Sequence, residues 1–445
     1  MAGQLFPLPL TPFEFYYWCD DRPEYPTTFP LELVFSGPLQ REALEVALGV
    51  CFARHSLLAA NVDDAAGKFP SWVPARDSLL PLDWAEGLTP IEHAAGRFID
   101  LTRDVGVRVW VRSSPARSRL VLQFHHACCD ALGGLQFVAD LLVAYDSAVA
   151  GQDPTAKLPP LDPQRLAMRA DYGLTEAGYR PNWRDAWRTA RFWARRWMCR
   201  PAVVAAPREV VPHTTEGRSD LGYVTHTLTR DDRHRLQARA NRCDASINDL
   251  LLGDMLVTLR DWNRQHHGDR RRLVVNVPVS LRTRGDQRLP AANVLGFWFL
   301  DRKPADCDDA LQLVAGIRKE MEAVKKWRLP LYFIGGLGYA CRFPGMIRRV
   351  LRSNRSFATV VLSNSGRALG RLPLEHEHRK WLCGGVRLES ITGVPPVRPG
   401  TRASLIISNY GPDTSINLRW DPHELDEPSA RMLLDAYVRR LSKSD

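Results

Sequence analysis

Nine cysteines in 445 residues, an odd number with no C-x-x-C spacing, argue against both a disulfide framework and a structural zinc site. The thiols are expected to be reduced. Long apolar runs are also missing. The longest plainly apolar stretch, residues 332–341, contains three glycines and is far too short to cross a bilayer. The opening Met1-Ala2-Gly3-Gln4-Leu5-Phe6-Pro7 has no basic leader, which argues against a signal peptide. Together these absences predict a cytoplasmic protein, at most peripheral to a membrane. No internal repeat is visible, which excludes solenoid architectures.

Acidic residues are outnumbered, 50 against 60 basic, for a net charge of +10. Such an excess raises nucleic acid, membrane surface and phosphate-bearing substrates as partners together. Much of it is local. Between Arg180 and Arg200 there are seven arginines and a single acid, Asp185, interleaved with Trp183, Trp187, Trp193 and Trp197. At about 100° per residue the tryptophans share one arc of a helix, and Arg184, Arg188, Arg191 and Arg195 gather on an adjoining arc. Such a helix could lie in a membrane interface, could stack single-stranded bases, or could pack its tryptophans on the body of the protein with arginines in water. Nothing else in the chain forms a nucleic-acid module, so no nucleic acid is expected as a partner.

The most informative residues are His125, His126 and Asp130, in the run Phe124-His125-His126-Ala127-Cys128-Cys129-Asp130-Ala131. Residues 119–124 are apolar and β-branched enough for a buried strand. After them Leu132, Leu135, Val138, Leu141, Leu142 and Tyr145 recur at helical spacing, with Asp130 in the N-cap position. The histidines thus fall on a strand-to-helix turn, where a side chain can project into a cleft. A histidine beside a carboxylate is the usual way to hold a general base near neutral pH. Core histidines with a capping aspartate would look the same. A metal site is disfavoured, because neighbouring residues at a strand end point to opposite faces. Cys128 and Cys129 read as small buried hydrophobes rather than nucleophiles.

His-His-x-x-x-Asp at such a turn resembles the signature of the chloramphenicol acetyltransferase-like superfamily, which includes nonribosomal peptide condensation domains, wax ester synthases and polyketide-associated acyltransferases. Ala131 stands where that family usually has glycine. Similar segments follow in order: Leu8-Pro9-Leu10-Thr11-Pro12-Phe13-Glu14, Arg54-His55-Ser56-Leu57-Leu58, Ser246-Ile247-Asn248-Asp249, Pro278-Val279-Ser280-Leu281-Arg282 with Asn293 and Gly296, Leu362-Ser363-Asn364-Ser365-Gly366 and Ser408-Asn409-Tyr410-Gly411. The resemblance implies a mixed α/β fold of two similar subdomains, their sheets flanked by helices, meeting along a central tunnel. It also implies acyl transfer from a thioester to a hydroxyl or amine. His126 would be the base, His125 and Asp130 would hold the architecture, and Arg282 would pair with Asp130. Ser363, Asn364 and Asn409 are candidate oxyanion donors at strand ends. The donor would be an acyl-CoA or an acyl-phosphopantetheine on a carrier protein, with no tightly bound cofactor, no metal, and a monomeric chain. A catalytically degenerate condensation-like binding protein, or a lipid-surface protein using the tryptophan helix, are the alternatives.

The length suits two domains of about 200 residues each. Residues 1–160 form a first half carrying the histidine motif, 161–216 a connecting region with the Trp/Arg helix, and 217–445 a second half. Strands are predicted over 273–277, 359–362, 405–407 and 416–420, and helices over 310–324 and 432–441. Ser246 is a predicted N-cap with Asp249 in its capping box.

Overall fold

Buried on both faces, the strand Ser118–His125 keeps only Arg119 partly in contact with water. It pairs antiparallel with Thr28–Phe35, Thr28 lying opposite His125, and with Val107–Ser113 on its other side. In this computed structural model, residues 5–65, 69–76, 82–87, 89–91, 98–207, 222–343 and 345–442 are described. Met1 to Gln4 and the boundary at residue 216 lie outside them.

The first sheet has seven strands among the described residues, in the order His376–Glu377, Lys380–Cys383, Val386–Gly393, Thr28–Phe35, Ser118–His125, Val107–Ser113, Leu82–Glu86. It is mixed, since Leu82–Glu86 runs parallel to Val107–Ser113. The second sheet has six, in the order Leu295–Arg302, Leu273–Ser280, Val360–Arg367, Ala403–Tyr410, Asp413–Trp420, Tyr223–Leu228. Here Val360–Arg367 is parallel to both neighbours. Leu256 and Leu259 of helix Ile247–Gln265, Ile317 of helix Ala310–Lys326 and Leu433 of helix Glu427–Leu441 share one core with Val275, Leu405 and Leu418 of the sheet.

One part of the sequential division fails. Residues 376–393, assigned by position to the second half, add three strands to the first sheet through Val386–Gly393 against Thr28–Phe35. Register in a buried sheet is set by which apolar faces meet, and Leu388 and Ile391 place theirs in the first core.

The local predictions hold where local chemistry decides. Asp130 caps the helix Ala131–Val149 by accepting from the Gly133 N–H, and Ser246 and Asp249 form a reciprocal capping box. The apolar stretch at 332–341 is a helix, Leu331–Ala340. It is not the longest apolar element. The helix Ala131–Val149 is long and apolar enough to span a bilayer by composition, but 67% of that stretch is buried inside the protein. Phe137, Leu141 and Tyr145 are core residues.

Candidate active site

The strand Ser118–His125 ends where the chain turns into Ala131–Val149, and the two histidines leave that turn in different directions. His125 is fully buried. Its Nδ1 accepts the Ala127 N–H at 2.9 Å, and its Nε2 lies 3.1 Å from an Asp21 carboxylate oxygen. His126 is half-buried and borders a cavity of about 580 Å³. Its ring stacks on Tyr17 at 4.5 Å and packs against Phe29 at 4.6 Å. Nδ1 is shut off from solvent, and the ring borders the cavity. Burial lowers the ring's pKa to about 4; His125 lowers it further, whereas Asp130 and the Cys129 backbone oppose the shift. The imidazole is therefore neutral near pH 7.

The turn is braced from the second half. Arg282 Nη1 donates to Asp130 Oδ2 at 2.6 Å, and the same oxygen accepts the Val294 N–H at 2.9 Å. Oδ1 accepts from Gly133 at 2.8 Å. Both carboxylate oxygens are thus committed. Arg282 Nη2 also donates to the Ala292 carbonyl, and Asn293 Nδ2 donates to the carbonyls of His126 and Ala127 at 2.6 and 3.0 Å. One residue earlier, the Ala291 N–H donates to His55 Nδ1. At Gly133 a Cβ would lie 3.1 Å from the backbone N and O of Ala292, a tight contact that a side chain there could relieve only by moving the Ala292 backbone by a few tenths of an ångström. Ala131, where glycine was expected, has no positive φ, and its side chain borders the cavity.

The cavity lies between the halves. Tyr16, Tyr17, Phe29 and Leu31 border it from the first; Asn276, Pro278, Phe297, Phe333 and Phe357 from the second. No known family profile matches the chain. An uncharacterized Mycobacterium tuberculosis protein, present in two strains, is 26% identical over 382 residues, which is 81% of this chain and 83% of that one. The first condensation domain of the CDA synthetase superposes with a TM-score of 0.68 at 16% identity, covering 99% of this chain and 96% of the other. The starter condensation domain of rhizomide synthetase, solved as a double mutant with C8-CoA and Leu-SNAC, gives 0.65 at 14% identity, covering 99% and 95%. The chain has the condensation-domain fold.

In that fold the histidine turn lies at the cavity between the two halves. Of the proposed oxyanion donors, only Ser363 borders the cavity. Asn364 is exposed, bonded to Asn248 and to the Gly366 N–H, because successive strand side chains point to opposite faces. Asn409 is occupied by the Gly366 carbonyl and Thr414. Polar residues that sequence reasoning missed do border the cavity: Asn276, with Oδ1 unpartnered, Ser404, with Oγ unpartnered, and Arg398, paired to Asp20. Arg398 is held charged by the Asp20 carboxylate against the cost of burial. Only a periodicity-of-two reading outward from Pro278 could have found Asn276.

The tryptophans divide. The helix Trp183–Met198 packs on Leu331–Ala340. Trp193 turns inward, stacks on Phe333 at 5.2 Å and donates to the Tyr332 carbonyl. Trp183 and Trp187 stay exposed, and Trp197 is both exposed and part of the cavity wall. The packed face carries Thr189 and Arg196, the latter bound with Arg195 and Arg272 to Asp301. The aromatic arc is therefore rotated from the packed face rather than coincident with it. Cys128 and Cys129 are buried, and burial pushes both thiols well above their ordinary range, which keeps them protonated.

Proposed function

We propose that this protein transfers an acyl group from a CoA or carrier-protein thioester to a hydroxyl or amine, with His126 as general base. The observation that carries the reading is a neutral imidazole bordering an apolar cavity, on a turn held from both halves. An acceptor bound there gives its proton to Nε2 as its oxygen or nitrogen attacks the thioester carbonyl. When the tetrahedral intermediate collapses, the carbon–sulfur bond breaks and the imidazolium returns the proton to the leaving thiolate. Base catalysis of this kind contributes roughly a hundred to ten thousand fold. Asp130, with both oxygens engaged by Arg282, Val294 and Gly133, holds the turn. Ser363, whose hydroxyl can donate, is the cavity group proposed as a partner for the oxyanion. Support for a thioester donor comes from the rhizomide starter domain, which was solved with C8-CoA.

The test is thiol release from acyl-CoA in the presence of an alcohol or amine pool, comparing the parent with His126→Ala. Turnover should fall by about a hundredfold or more with unchanged folding. Equal rates would reject the transferase reading.

A further inference from the structure

Four large apolar side chains are both exposed and part of the cavity wall: Trp197, Tyr339, Phe343 and Met346. They mark where the cavity opens. Phe343 is 61% exposed, and Met198, next to Trp197, is 79% exposed. Large apolar side chains crowded at an opening, rather than scattered singly, mark an interaction surface. The chain around them is cationic. Residues 183–200 carry six arginines and one acid, and residues 331–356 carry five arginines and none. Arg342 lies over the Tyr339 ring at 5.2 Å, Arg355 over Trp197 at 4.8 Å, and Arg349 and Arg352 are exposed on the helix Met346–Arg352.

From this arrangement we infer that the cavity mouth docks on an anionic lipid surface, with the aromatic rim at headgroup level and the arginines on lipid phosphates. An acidic protein would satisfy the arginines equally well. It would leave unexplained an exposed ring of Trp, Tyr, Phe and Met, which suits the boundary between headgroups and acyl chains. The rim differs from the tryptophan arc read in the sequence. Trp193 is withdrawn into the wall, and the basic stretch that holds Phe343 and the helix Met346–Arg352 completes the surface. Docked this way, the cavity opens directly onto the bilayer, so an apolar substrate enters without crossing water.

Flotation with phosphatidylglycerol-containing vesicles, and with pure phosphatidylcholine vesicles, tests this without any turnover, so its outcome is separable from that of the transferase reading. The parent should float with the anionic vesicles, and binding should fall with salt. Phe343→Ser with Met346→Ser should weaken binding by about tenfold or more. Arg342→Gln, Arg349→Gln and Arg352→Gln together should weaken it by about a hundredfold, each arginine contributing about fivefold. Leu311→Ser, on the helix Ala310–Lys326 outside the cavity wall, should bind as the parent does. Failure of the parent to float with phosphatidylglycerol, or equal flotation of all four proteins, overturns the inference. So does retention on an immobilised acidic carrier protein without any vesicle binding.

Discussion

Acidification should cost this fold stability in part through the His126 ring, alongside His55, whose pKa burial also lowers. His126 has a pKa of about 4 in the folded chain against 6.5 for an unperturbed imidazole, so between those values the unfolded chain takes up the proton first. Its effect is therefore negligible above about pH 6.5, turns unfavourable as pH falls, and is complete below about pH 4. The gap corresponds to about 3 kcal/mol in full, of which about 2 kcal/mol has accrued by about pH 5. The cause is the apolar surround of Tyr17, Phe29 and the cavity wall, which Asp130 offsets only in part because both its oxygens are engaged elsewhere. Carboxylates titrate over the same range, so the measurement is a difference. Urea midpoints are compared at about pH 7.5 and about pH 5 for the parent and for His126→Asn, which has no titrating ring. The parent should lose about 2 kcal/mol more than the variant. Equal losses would mean that the ring is hydrated or compensated when folded, and the account of a dry, neutral base would fall with it.

Asp130→Ala removes the partner of Arg282, the helix cap and the acceptor of the Val294 N–H together. Breaking a buried pair on one side should destabilise by about 3–5 kcal/mol in chemical denaturation, whereas Asp130→Asn should cost less because it can still cap Gly133. A loss below about 1 kcal/mol for the alanine variant would show that the pair does not brace the turn. Gly133→Val would drive a side chain against the Ala292 backbone, costing about 1–3 kcal/mol. Faster hydrogen exchange at the Val294 amide should accompany it, and unchanged exchange would contradict the close approach described there.

What the sequence revealed follows the range of the interactions. The strand ending at His125, the cap at Asp130 and the capping box at Ser246 depend on neighbours within four residues, and each appears where residue chemistry placed it. The pairing of Arg282 with Asp130 spans 152 residues and was reachable only through family resemblance. Asn276, Arg398 and Ser404 come to the cavity from separate strands and a loop, and no local pattern links them. Asn364 was grouped with Ser363 because adjacency in sequence hides the alternation of a strand, and a bulge between Asn364 and Gly366 disturbs it further. The tryptophan spacing predicted an amphipathic helix correctly, but which side of it meets the protein depended on Thr189 and on Arg196 reaching Asp301.

The crossing of residues 376–393 into the first sheet makes the two lobes unable to part company. A gene cut within the linker would yield a leading fragment whose strand Thr28–Phe35 lacks one neighbour and presents a bare row of amide and carbonyl groups, an invitation to self-association. The trailing fragment would carry an orphan three-stranded flap. Co-expression of both pieces should restore solubility, because each supplies the edge the other is missing.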